Sequence, residues 1–123
     1  MIEEYFVQLE GIIKEFPNVR FVSLTKKIYN ISQGYISGSI IFENNHRLDF
    51  AEVKNAEVLD KIKYRYHYMN EEQVMIFRYD NAPHHSDVST FPHHKHDREN
   101  IRESVEPNLD QVLLEVSRNQ KQI

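Results

Sequence analysis

Pro17 divides the chain into two hydrophobic periods, and that change limits the fold more than any other feature of the sequence. Before it, Ile2, Tyr5, Phe6, Leu9, Ile12, Ile13 and Phe16 recur at helical spacing, with Glu3 and Glu4 near the positive end of the helix they imply. After it, from Val19, the text becomes β-rich: VRFVSLTKKIYNI, then Gly34 as punctuation, then YISGSIIFE. Asn44 and Asn45 form a tight-turn pair leading into HRLDFAEVK, so consecutive antiparallel strands are the simplest reading.

A short connection over residues 55–59 leads to IKYRYHYM. There Tyr64, Tyr66 and Tyr68 point one way, and Lys63, Arg65, His67 and Met69 the other. NEEQ reads as a turn. VMIFRYD is a fifth strand, with Val74, Ile76, Arg78 and Asp80 on one face and Met75, Phe77 and Tyr79 on the other. Pro107 suits the first turn of a final helix whose stripe is Leu109, Val112, Leu113 and Val116, and residues 118–123 are expected to fray. The expected architecture is a single α+β domain over residues 1–123, a mostly antiparallel sheet of about five strands flanked by an N-terminal and a C-terminal helix.

A chain of 123 residues can bury a continuous core without metal or disulfide staples. With 40% hydrophobic and 28% charged residues, three Gly and four Pro, the composition is globular. The absence of cysteine excludes disulfides, thiolate metal sites and thiol catalysis. The opening MIEEYF has no secretory character and no segment approaches the ~20 apolar residues of a membrane span, so a cytoplasmic location without membrane association is expected. A net charge of −4 argues against attraction of nucleic acid by the whole surface. Five of the seven His lie between residues 84 and 96, a segment that mild acid or a nearby phosphate would make strongly positive.

That segment sits in the densest constellation of the chain, RYDNAPHHSDVSTFPHHKHD over residues 78–97, with a His-rich functional loop expected over residues 81–100. Two chemistries fit it. In one, two or three of His84, His85, His93, His94 and His96 hold a metal ion such as zinc or nickel at ~2.0–2.1 Å, with Asp80, Asp87 or Asp97 completing the shell. In the other, no metal is required: two imidazoles act as base and acid in ribose 2′-hydroxyl attack on RNA, while Arg78 and Lys95 steady the phosphate. Tyr66 or Tyr68 would stack a base or donate a hydrogen bond, beside His67.

The same residues also fit a blander account. Solvated loop histidines, an Arg78–Asp80 ion pair and a half-buried tyrosine stripe need no ligand at all. Separately, Asp49, Glu52 and Lys54 are similar to the carboxylates and lysine of metal-dependent restriction-like nucleases, a short match with Glu52 and Lys54 on one strand face.

Three phrases, YRYHYMN, FRYDNAPHH and TFPHHKH, occur in an order and spacing that resembles the TumE family of toxin–antitoxin toxins, most closely over residues 64–96. The resemblance implies a small growth-inhibiting protein neutralised by a helix-turn-helix antitoxin encoded beside it. Within the matching phrases it directs attention to Tyr66, Arg78, Asp80, His85, His94 and His96. The leading expectation is a toxin acting as a metal-independent endoribonuclease, with Arg78, Asp80, His85, His94 and His96 catalytic and Tyr66, His67, Tyr68 and Lys95 binding substrate. The alternative is a non-catalytic module that binds metal or a partner through the His-rich loop. A homodimer is compatible with either.

Overall fold

The computed structural model describes residues 1–120 of the chain. Helix α1 (Ile2–Glu15) stops where Phe16 turns extended before Pro17, and Asn18 takes a positive φ of 63° to start the sheet. Seven strands follow: β1 (Val19–Ile28), β2 (Gln33–Phe42), β3 (Arg47–Asn55), β4 (Lys63–Met69), β5 (Met75–Asp80), β6 (His94–Asp97) and β7 (Asn100–Glu103). Each pairs antiparallel with the next, in the order β1-β2-β3-β4-β5-β6-β7. Helix α2 (Leu109–Gln120) closes the chain.

The α+β class and the two helices are as expected, but the sheet has seven strands, not five. The two missed strands lie in text without an apolar alternation. HHKHD forms β6, and NIRE, exposed throughout, forms the edge strand β7. The His-rich segment is therefore irregular only up to His93. Of the residues expected to fray, 118–120 continue α2, and 121–123 lie outside the described residues. The Asn44-Asn45 turn holds: Asn45 has φ 68° and its N–H donates to the Phe42 carbonyl at 2.9 Å.

Period-two alternation gives the sheet two unlike faces. On one, Ile36, Ile40, Phe42, Leu48, Phe50, Tyr64, Tyr66, Tyr68 and Phe77 are buried against Ile2, Phe6, Leu9 and Ile13 of α1 and Leu109, Val112, Leu113 and Val116 of α2. Among the described residues the other face carries no helix. Cross-strand pairing draws a polar row over it: Ser23, Ser39, Asp49, His67, Arg78 and His96, neighbour to neighbour from β1 to β6. Beside it runs Thr25, Ser37, Ala51, Arg65, Asp80 and His94.

Close seating of α1 depends on Gly34. A Cβ there would lie 2.7 Å from the Lys27 carbonyl, 2.9 Å from the Phe6 ring and 3.0 Å from Ile2. One of these contacts is backbone and cannot rotate away. Gly34→Ala is therefore expected to cost about 1–3 kcal/mol in urea unfolding, the usual range for overpacking, whereas Gly11→Ala, where a Cβ meets nothing within 4 Å, should not destabilise.

Candidate functional site

Strands β5 and β6 bring the site together. Their antiparallel register sets Arg78 opposite His96 and Asp80 opposite His94, with all four side chains on the helix-free face. Asp80, 6% exposed, is the hub of the group. Its Oδ1 accepts from the Ala82 N–H at 3.0 Å and lies 2.9 Å from His94 Nε2, and its Oδ2 accepts from Arg78 Nε at 3.1 Å. His94 is 2% exposed, and its other ring nitrogen, Nδ1, donates to the Pro92 carbonyl at 2.9 Å. Both nitrogens of His94 thus face acceptors.

His96 has the opposite role. Arg78 Nη2 lies 3.0 Å from its Nε2, and a guanidinium only donates, so that nitrogen presents a lone pair. Burial, reinforced by the charges of Arg78 and His94 and opposed by Asp80, pushes the His96 pKa down to about 4 and holds the ring neutral near pH 7. His85 completes the cluster from the loop before β6. Its ring centroid is 4.9 Å from that of His94 and 5.4 Å from that of His96, and one ring nitrogen from each of the three residues lies within 4.8 Å of the others.

The loop is fixed by its own polar residues. Asn81 Oδ1 accepts from the Tyr64 N–H and its Nδ2 donates to the Ile62 carbonyl, tying the end of β5 to the start of β4. The Val88 N–H donates to the His85 carbonyl. Thr90 Oγ1 donates to the His93 carbonyl and accepts from the Ser104 N–H, clamping the entry to β6 against the segment after β7.

The family model described as Toxin TumE matches residues 9–120. The chain belongs to the TumE toxin family. No curated protein and no solved structure matches it. In this TumE chain the Arg-Tyr-Asp-Asn-Ala-Pro-His-His phrase has a geometric meaning. Arg78 and Asp80 point to the open face, Tyr79 points to the core, Asn81 ties the strands, Ala82 donates to Asp80 and His85 returns over the cluster.

Several expected site residues lie elsewhere. Tyr66 and Tyr68 are buried under the helices, where no base can stack on them. Tyr66 donates to Glu52, and the Tyr68 hydroxyl meets His46 Nδ1 at 2.6 Å. Lys95 alternates away from His94 and His96 and pairs with Glu115 of α2 at 2.6 Å, above the Tyr79 ring. Of the five loop histidines considered as ligands, His93 is turned to the core side and bonds the Tyr64 hydroxyl at 2.8 Å, and His84 is exposed outside the cluster. Asp97 alternates to the same side as Lys95 and pairs with Arg102, and Asp87 is exposed in the loop, so Asp80 is the carboxylate of the cluster.

The nuclease-like carboxylates do not converge. Asp49 and Glu52 are three residues apart on one strand and so face opposite ways. Asp49 bonds Arg47 and Ser39 on the open face. Glu52, 1% exposed, accepts from Tyr5 and Tyr66 beneath α1, and burial together with the Glu52 charge raises the pKa of both hydroxyls. Lys54 Nζ donates to the Val58 and Leu59 carbonyls beside a cleft of about 590 Å³, and burial lowers its pKa. These contacts join α1 to the sheet.

His67 does lie beside the cluster, opposite Arg78 on β4. Burial, then the charges of Arg78 and Arg65, lower its pKa. Arg65, opposite Asp80 and exposed, was not singled out from the sequence. Its alternation with His67 was legible, but its place beside the site required the β4–β5 register.

His94→Ala would remove a ring that is 2% exposed, leaving a void beside the buried Asp80 carboxylate and the Pro92 carbonyl without its donor. We expect a loss of about 2–5 kcal/mol in urea unfolding, as for truncation of a large buried side chain, against less than about 0.5 kcal/mol for exposed His84→Ala.

Proposed function

We propose that this TumE toxin cleaves RNA at the Arg78–Asp80–His85–His96 cluster by acid–base chemistry of its imidazoles. The observation that carries the reading is the His96 lone pair held against the Arg78 guanidinium, a base and a phosphate-binding cation in contact at 3.0 Å. When a phosphodiester draws Arg78 onto its oxygens, the same movement uncovers His96 Nε2. That nitrogen takes the proton of the ribose 2′-hydroxyl. The O2′ forms a bond to phosphorus, the bond from phosphorus to O5′ breaks, and His85, protonated, gives its proton to O5′. The products are a 2′,3′-cyclic phosphate and a 5′-hydroxyl.

His94 is not one of the two proton-transfer groups in this scheme. It is buried, with Nδ1 on the Pro92 carbonyl and Nε2 beside Asp80, so with Asp80 it is a positioning residue that holds Arg78 in line. The open face also answers the difficulty of a net charge of −4. Arg65 extends the positive charge of Arg78 across β4, next to His67, whose lowered pKa leaves it uncharged near pH 7, and lines a shallow cleft of about 270 Å³ with Ser37, Ser39 and Asp49. A single strand laid along this face would meet the guanidinium groups of Arg65 and Arg78 although the protein as a whole is acidic. The partner that restrains such a toxin is an antitoxin, which we take to be a helix-turn-helix protein encoded beside it.

The test is incubation of tag-free protein with a single-stranded RNA in the presence of EDTA. Expected is cleavage leaving 2′,3′-cyclic phosphate ends, reduced at least ~100-fold by His96→Ala and by Arg78→Ala, in keeping with loss of a general base or an electrostatic stabiliser. His84→Ala should retain full activity. Intact RNA with folded wild-type protein, or cleavage indifferent to both substitutions, would sink the reading.

A further inference from the structure

We propose that His85, His94 and His96 form a binding site for one divalent transition-metal ion of the zinc or nickel kind, for which Arg78 is a built-in competitor. Three imidazoles with a carboxylate beside them suit these ions, whereas magnesium and calcium favour all-oxygen sites. The three candidate nitrogens lie within 4.8 Å of one another. Ligands at ~2.0–2.1 Å from a tetrahedral ion stand ~3.3 Å apart, so small ring rotations close the site.

The support behind the ligands is already built. His94 Nδ1 donates to the Pro92 carbonyl at 2.9 Å, the outer contact that commonly fixes a metal-bound imidazole, and this aims Nε2 into the cluster. Asp80 Oδ1, 2.9 Å from that Nε2, can accept from a ligand water or enter the shell itself. His85 makes edge-on contact with the other two rings and is only partly buried, so it can move onto an ion.

Arg78 Nη2 sits 3.0 Å from His96 Nε2, on the lone pair an ion would take. Its side chain is 33% exposed and can swing to solvent. Guanidinium and metal ion are therefore alternative occupants of one lone pair. A bound ion would also take the nitrogens assigned to base and acid and so stop RNA cleavage. That consequence, unlike the binding itself, rests on the ribonuclease reading.

The experiment is calorimetric titration of the tag-free chain with zinc chloride, repeated with nickel, and in parallel an RNA-cleavage assay of metal-free protein before and after zinc addition. Expected is one ion per chain, with affinity lowered at least about 100-fold by His85→Ala, beyond the usual effect of removing a supporting contact. Among the described residues His85 makes no side-chain hydrogen bond, and an unchanged circular dichroism spectrum would confirm the variant folds. His84→Ala should bind as wild type. Arg78→Gln should bind on the order of tenfold more tightly, because a cation no longer holds the His96 lone pair.

Absence of binding, more than one ion per chain, equal loss in the His84 and His85 variants, or unchanged affinity in Arg78→Gln would each overturn the proposal, the middle two marking uptake by the loop as a whole. RNA left intact by the metal-free protein would remove the ribonuclease reading while the binding data continue to support the ion site. Cleavage that continues at saturating zinc would overturn the claim that the ion and the chemistry share the cluster.

Discussion

Asp80 carries its carboxylate to a place where little of it meets water, and the arrangement of the open face depends on how that charge is satisfied. Three groups converge on it: the His94 ring, whose Nε2 lies 2.9 Å away, and two donors, the Arg78 guanidinium and the Ala82 N–H. Each comes from a different stretch of chain, respectively β6, the same strand two residues back and the start of the loop. A buried carboxylate without partners is costly, so β6, β5 and the loop entry are held in one relative geometry. With Asp80 fixed, Arg78 is oriented, and with Arg78 oriented, its guanidinium meets the His96 lone pair at 3.0 Å.

A meander sheet with both helices on one side makes such a face available. The helices cover the alternate residues from Ile36 to Phe77 and leave the other set open to ligand. The buried face is polar where it must be. Glu52 is bound by Tyr5 and Tyr66, and Lys95 by Glu115, so charges under the helices are paired across elements. These contacts account for residues that sequence reasoning places in chemistry. Tyrosines, a glutamate and a lysine on the core side join helix to sheet, and the chemistry is left to the odd or even partners one residue away.

The helices and the first five strands were legible because their apolar periodicity is strong. Strands β6 and β7 were not. His94, Lys95, His96 and Asp97 alternate between a histidine cluster and a lysine–glutamate tether, both polar, so no hydropathy signal marks the strand. The gathering of Arg78, Asp80, His85, His94 and His96 followed from one phrase of sequence. Its internal division did not: parity sends His93 and Lys95 to the far side, and only the pairing with β5 shows which parity faces Asp80. Arg65 shows the same limit, since a side chain on β4 becomes part of a site on β5 and β6 only through register.

The division of labour among the three clustered histidines follows from their neighbours. His94 is held by its Nδ1 bond to the Pro92 carbonyl with Nε2 beside Asp80, His96 meets a donor and keeps a lone pair, and His85 meets the other two rings and keeps its freedom. On the proposed readings a phosphate, an ion and the Arg78 guanidinium would all act on the same nitrogen of His96, though with different effect. A phosphate would draw the guanidinium away and leave the lone pair open; an ion would displace the guanidinium and consume the lone pair. Chemistry and metal occupancy would for that reason be exclusive states of one cluster, and the side chain that decides between them would be Arg78.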